Sequence, residues 1–411
     1  MNCLTSKEMR RMKIVPDIRF KGFEDEWERL VVSDLLQVNK TLNTDNRYGR
    51  EDVLSVSDEC GIVNQIKYLG RSYAGKSVLK YKVVKPNQIV YTKSPLKDKP
   101  YGIVKQSDIY GIVSSLYAVY DIIGNCIPSY IQWYFEPYYR INKYFRPLVN
   151  KGAKNTINIS DTNAVTGTIY IPKIVEQTII SSYLEFLSKH INDTTKKIAS
   201  LKQLKSACLI SMFPQQGETV PRVRFKGFNG EWALSKLGEL FEERIENEPN
   251  AEMLSVTMNN GIIKAVDNGR YDNSNSNKAK YKLVNIGDIA YNSMRMWQGA
   301  SGVSIYRGIV SPAYTVVKPN DGVDSLFFSY MFKTDEVIKK FRLSSQGLTK
   351  DTWNLKYPAF SEIYVLYPIK VAEQHQIASY FRNLDIQISE QEKRLEKLKQ
   401  IKAACLDKMF V

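Results

Sequence analysis

Most of this chain is written twice, and the duplication limits its architecture before any other property is considered. The segment VPDIRFKGF at 15–23 returns as VPRVRFKGF at 220–228, an offset of 205 that Trp27 and Trp232 share. LSVSDECGIV from Leu54 matches LSVTMNNGII from Leu254 at 200, and YKVVKPNQIVY from Tyr81 matches YKLVNIGDIAY from Tyr281 at 200. GIVSSLYAVY from Gly111 matches GIVSPAYTVV from Gly308 at 197, and LKQLKSACLISMF from Leu201 matches LKQIKAACLDKMF from Leu398 at 197. Short deletions explain the shrinking offset, and the two copies account for nearly the whole chain.

Each copy has two parts. The first is rich in Val, Ile, Tyr, Gly and Asn, with short alternating stretches bounded by turn residues, which predicts a globular α+β domain. The second lacks internal Gly and Pro and repeats apolar residues at steps of four and three. In the first copy the seam is Ile180, Leu184, Leu187, Ile191, Thr194, Ile198, Leu201 and Cys208; in the second it is Ile377, Phe381, Leu384, Ile388, Gln391, Leu395, Leu398 and Cys405. This heptad spacing predicts two long helices, with Pro172 and Pro368 near their first turns. The expected divisions are 1–171 and 214–367 for the two globular domains, and 172–213 and 368–411 for the two helices. A helix with one apolar stripe must bury it, and the other copy is the simplest partner. The expected object is a pseudo-two-fold one, with two homologous domains at opposite ends of an antiparallel coiled coil roughly 60 Å long. Such a rod would set a fixed distance between two heads.

Charge suggests what the heads meet. The chain of 411 residues holds 58 Lys and Arg against 43 Asp and Glu, a net +15. That excess points to a polyanion. Every apolar run is broken well before the length of a membrane span, and no apolar core follows the basic residues of the first segment, so a soluble cytoplasmic protein is expected. Five scattered cysteines, Cys3, Cys60, Cys126, Cys208 and Cys405, include no Cys-x-x-Cys pair and indicate neither a disulfide framework nor a thiolate zinc site.

Catalytic motifs are missing or out of context. There is no Pro-Pro, which an amino-methyltransferase needs in the turn that holds the target amino group, and no G-x-G-x-x-G. His190 and His375 occupy unrelated repeat positions, opposite Gln387 and Thr178, and are read as exposed helical residues. Gly70–Ser77 matches G-x-x-x-x-G-K-[ST] literally, but a phosphate loop needs a buried strand before it and a helix starting at its lysine. The following VLKYKVV is β-like, and the second copy does not keep the motif. A surface loop facing DNA suits these residues better than an ATPase.

The order of head, long helix, head, long helix resembles the specificity subunits of Type I restriction-modification systems over essentially the whole chain. The resemblance is carried by RFKGF with its following Trp, YKLVNIGDIAY, NSMRMWQGASGVS from Asn292 to Ser304, AEQHQIASYF from Ala372 to Phe381, and the LKQ(L/I)K-x-ACL-x-x-MF helix ends. It implies a non-catalytic chain whose heads are target recognition domains, each reading half of a split, asymmetric DNA site. It further implies that the helices dock two methyltransferase subunits, which restriction and translocase subunits join. S-adenosylmethionine, ATP and Mg would be bound by those partners and none by this chain. The alternatives are a P-loop NTPase built on Gly70–Ser77, or a coiled-coil scaffold binding DNA without sequence preference.

Base edges and phosphates are read by polar and cationic side chains, and heads with different half-sites must differ where they read. In the first head this selects Tyr68, Arg71, Ser72, Tyr73, Lys76, Lys93, Ser94, Lys97, Lys99, Lys151, Lys154 and Asn155. In the second it selects Arg270, Tyr271, Asn273, Lys278, Asn292, Arg295, Trp297, Gln298, Ser345, Gln346 and Lys350. Phe20, Phe23, Phe225 and Phe228 repeat too faithfully to discriminate sequences and are read as packing residues, while Arg19 and Arg224 are candidates for phosphate or partner contact. Leu209, Met212, Leu406 and Met409, flanking the helix seam, are the candidates for partner subunits.

Overall fold

The computed structural model describes residues 14–75, 77–96, 99–151, 157–257, 261–268, 277–349 and 352–411, the side chains of Asn150 and Lys151 excepted. The fold is α+β and divides into two compact units, Met1–Thr194 with Arg394–Val411, and Thr195–Lys393. The division cuts both long helices, Ile174–Ser211 and Val371–Lys408, near their middles.

In the first unit a four-stranded antiparallel sheet has the order Leu36–Val38, Tyr117–Ile122, Ile89–Thr92, Ile103–Gln106. The segments chosen for their alternation, YKVVKPNQIVY and GIVSSLYAVY, supply its two central strands and the two-stranded ladder of Lys82–Val84 with Gly111–Val113. The helices Pro128–Tyr134 and Tyr138–Phe145 pack their aromatic residues into the main core, where Tyr91 stacks on Phe145 at 4.4 Å.

The second unit has the corresponding sheet, ordered Phe241–Glu243, Tyr314–Pro319, Ile289–Asn292, Ser301–Val303. Its helices Ser325–Met331 and Asp335–Ser344 bury Phe327, Phe328, Phe332 and Phe341. Asp324 caps the first of them, accepting from Leu326 N–H at 2.8 Å.

Helices stand in the two stretches where the spacing predicts them. Ile180, Leu184 and Leu187 are buried in the first unit's core beside Cys405, Met409 and Phe410; Ile377, Phe381 and Leu384 are buried in the second unit's core with Met212. The remaining seam positions are buried or half-buried. Pro172 and Pro368 lie just before the first turns of the helices. Their carbonyls accept from the side-chain amides of Gln177 and Gln374, both at 2.8 Å. Those glutamines are buried, and each also bonds the loop before its unit's aromatic helix, accepting from Ile127 N–H at 2.9 Å and Asp324 N–H at 2.8 Å.

The two RFKGF segments do the same work in each unit. Their glycines hold φ of +94° at Gly22 and +98° at Gly227, a turn that a β-carbon would strain. In the first unit Ile18 N–H donates to Lys408 O at 2.9 Å, capping the second long helix, while Arg19 grips Glu176 near the start of the first helix at 2.7 and 2.8 Å. In the second unit Val223 N–H caps Ser211 O at 2.8 Å and Arg224 grips Glu373 at 2.7 and 2.8 Å. The two carboxylates are 1% exposed, so each needs a cation. This corrects the expectation for Arg19 and Arg224: both are consumed inside their own unit. Phe20 and Phe225 pack edge-on against Tyr183 and Tyr380 at 5.7 and 5.9 Å, as packing residues would.

Candidate nucleic-acid interface

In the first unit the candidates Arg71, Ser72 and Tyr73 share one turn, and Tyr68, on the helix before it, meets the Ser57 hydroxyl at 3.4 Å. Asn64 caps the helix Gln65–Leu69, and Gly70 ends it in the left-handed region at φ +74°. The chain then turns back over Gln65, whose side-chain oxygen accepts from Tyr73 N–H at 2.6 Å and from the Ser72 hydroxyl at 3.4 Å. The Arg71 guanidinium lies 4.6 Å from the centre of the exposed Tyr73 ring. Gln65 is thus the residue that shapes the cluster, and composition alone did not mark it. This order of elements, helix then turn then the strand Lys82–Val84, is the reverse of a phosphate loop, and no helix starts among the described residues after Gly75 and before that strand.

The lysines behave differently. Lys93 and Lys82 both pair with Asp161, Lys93 at 2.9 Å. Lys99 pairs with Asp58 at 2.6 Å and is buried, and its neighbour Lys105 pairs with Glu136 at 2.7 Å. Lys93 and Lys99 therefore spend their charge on carboxylates 41 to 68 residues away in sequence. Burial pushes the Asp161 carboxyl up, but the two lysines outweigh it and hold it below the ordinary aspartate value. Ser94 donates its backbone N–H to the Thr92 hydroxyl at 3.3 Å. Lys76, Lys97, Lys154 and Asn155 lie outside the described residues; Lys151 forms a short ladder with Ile157, its side chain not described.

Asp161→Asn is expected to destabilise the first unit by about 1–2 kcal/mol at pH 7. Because the folded carboxyl titrates below its unfolded value, this stabilisation is present above about pH 4 and is lost as pH falls further. Urea unfolding of both proteins at pH 7 and pH 3 checks this, with the gap expected to close at the lower pH.

In the second unit the fold joins two segments that are far apart in sequence. Asn292 opens a turn by accepting Met294 N–H at 3.0 Å on its side-chain oxygen, and the turn carries Arg295, Trp297 and Gln298. Trp297 donates its indole N–H to Met294 O at 3.1 Å and meets Trp353 edge-to-face at 5.4 Å. Leu355 N–H donates to Ser293 O at 2.8 Å, fastening the segment that holds Ser345 and Gln346 beside the turn. Arg295 and Gln346 are exposed, while Trp297, Gln298, Ser345 and Lys278 are half-buried. Ser345 caps its helix by donating to Phe341 O at 2.7 Å. Arg270, Tyr271, Asn273 and Lys350 lie outside the described residues. Trp353 was not selected from sequence, because its place beside Trp297 arises only when the two segments meet.

The partner candidates are placed by packing. Met212 and Met409 are 4% and 3% exposed, in the cores of their units, with Leu209 and Leu406 half-buried against those cores. The methionines fill core volume where a docking role would need open surface. His375 is exposed and paired with Asp324, whereas His190 is half-buried against Phe186 at 4.1 Å, less open than expected. Burial pushes the Cys126 thiol up to about 12, which keeps it a protonated packing group. Among the described residues no cluster of His, Cys, Asp and Glu could hold a metal, and no helix is long and apolar enough to cross a membrane.

Residues 229–400 match the family model of the Type I restriction modification DNA specificity domain. No curated protein matches the chain. Among solved structures, the fold is similar to the Type-I restriction-modification system S subunit from M. genitalium, with a TM-score of 0.57 at 13% identity over 97% of this chain and 99% of that one. The HsdS subunit from Thermoanaerobacter tengcongensis matches with a TM-score of 0.45 at 15% identity over 93% of this chain and 96% of that one.

Proposed function

We propose that the chain is a specificity subunit of the Type I restriction-modification kind, whose DNA specificity domain residues 229–400 match, and that it reads a split DNA site, one half with each unit. The observation that carries this is the family match of the second unit, joined to the recurrence of its sheet order and its RFKGF clamp in the first. Two units of one plan with different surface loops suit two different half-sites. In this reading the two long helices form an antiparallel coiled coil that spaces the units. Support comes from ties within each unit: Lys202 pairs with Glu392 at 2.7 Å and Lys205 with Asp385 in the second, and Leu184 and Leu187 share a core with Cys405 in the first.

The chain would supply sequence recognition and no chemistry. Methyl transfer to adenine, and cleavage of unmodified DNA, would belong to methyltransferase and restriction subunits that assemble on it. S-adenosylmethionine, ATP and Mg would be theirs. A soluble cytoplasmic protein suits this role. The cluster around Arg71 and Tyr73 would read one half-site, and Arg295, Trp297, Gln298 and Gln346 the other.

Exchange of residues 214–367 for those of a relative with another half-site is expected to change one half of the methylated sequence and leave the other. Methylome sequencing in which both halves change, or neither, would reject the proposal. Inserting four residues into Ile174–Ser211 adds about 6 Å of helix and should lengthen the gap between half-sites by about one or two base pairs. An unaltered gap counts against the spacer role.

A further inference from the structure

The second unit presents an apolar side chain that its own packing does not use. Gln346 and Asn354 close a short hairpin with reciprocal backbone hydrogen bonds of 3.0 and 2.8 Å. Inside it Thr352 donates its N–H to Thr349 O at 3.0 Å and its hydroxyl to the same oxygen at 2.9 Å. Gly347, at φ +141°, approaches so closely that a β-carbon there would lie 2.6 Å from the Thr352 carbonyl oxygen. The next residue, Leu348, is 101% exposed. Isolated exposed leucines are ordinary. This one differs in its support, because it stands on a hairpin braced at its base, and that hairpin is fastened through Trp353 and Leu355 to the turn carrying Arg295 and Gln298. The whole assembly lies within the segment that matches a DNA specificity domain.

We propose that Leu348 is a wedge that enters one base step of the DNA held by the second unit and partly unstacks it. Apolar wedges of this kind cover the base faces they separate and kink the duplex, while neighbouring polar and cationic groups hold its backbone and edges. Arg295, on the turn fastened to this hairpin, and Gln346, at the hairpin's base, would do so. The cost of kinking depends on the step, being low at flexible pyrimidine–purine steps, so the wedge adds sequence preference without a hydrogen bond to a base. This inference rests on the reading of the second unit as a half-site reader.

The test uses the full chain with the subunits that co-purify with it, and duplexes carrying 2-aminopurine at successive positions of the second half-site, the methylated adenine excluded. A several-fold rise in fluorescence is expected at one step, lost in Leu348→Ala and kept in Leu348→Met. Affinity of Leu348→Ala should fall about tenfold on intact duplex and recover on duplex mismatched at that step. An unchanged rise in Leu348→Ala overturns the wedge, as does a footprint over both half-sites without any unstacked step. Absence of a footprint on the second half-site overturns the half-site reading itself. Loss of co-purifying subunits in Leu348→Ala with an unaltered fluorescence rise would mean that the tip seats a protein, and also overturns the wedge.

Discussion

Deleting Met409, Phe410 and Val411 is expected to unfold the first unit while the second stays folded. These residues come last in the chain, yet two of them belong to a core built mostly from the first 187 residues. Phe410 is 5% exposed, with its ring 5.3 Å from Tyr130 and 6.1 Å from Tyr134 and the Arg140 guanidinium 4.8 Å from its centre. Arg140 in turn donates to Leu406 O at 2.7 Å and Tyr134 O at 3.0 Å, which binds the helix end to the aromatic helices. Removing a buried phenylalanine and a buried methionine together costs roughly 5–10 kcal/mol, comparable to the whole stability of an ordinary domain. Hydrogen exchange should show lost protection in Ile89–Thr92 and Tyr117–Ile122 but not in Ile289–Asn292. On the proposed function, DNA footprinting should then retain one protected patch. Full protection of the first unit's strands after the deletion would show that the core closes without the chain's last residues.

Glu373→Ala is the second large effect, about 3–5 kcal/mol against the second unit. Glu373 accepts from Arg224 Nε and Nη2 and, at 3.3 Å, from the indole N–H of Trp232. Its loss leaves a guanidinium with 15% exposure beside an orphaned indole donor. The damage should come from the stranded charge and not from the lost attraction. Replacing both partners, Arg224→Met with Glu373→Leu, should therefore recover most of the stability. Urea unfolding of the single and double variants tests this; a double variant as unstable as Glu373→Ala would locate the cost in packing. Glu176→Ala should strand Arg19 in the same way in the first unit, where, unlike Trp232, the Trp27 indole N–H makes no hydrogen bond to the carboxylate.

The long helices could be read from sequence because a seam spaced at four and three residues has few other ways to be buried. Ile180, Leu184, Phe381 and Leu384 accordingly lie in the cores. The central strands could also be read, since YKVVKPNQIVY and YKLVNIGDIAY alternate between turn residues. Single side chains at the interface were harder to judge. Lys93 and Lys99 look like phosphate ligands in sequence, but Asp161 and Asp58 reach them from turns distant in the chain. Arg19 and Arg224 look equally available until Glu176 and Glu373 are found buried opposite them. A charged residue's type does not say which opposite charge will face it.

By itself, then, the sequence determined that several of its segments recur about 200 residues apart, that two long helices form, and that the net charge is +15. Periodicity and repetition are local properties and survive without knowledge of any distant contact. Tertiary structure alone decided which cations are spent on internal carboxylates and how Gln65 shapes the Arg71–Tyr73 turn. It also decided that Trp297 and Trp353 meet and that Leu348 is left standing outside the fold. Those outcomes depend on which residues, tens of positions apart, are brought within a few ångströms, and hydrogen bonding and desolvation act only at that range.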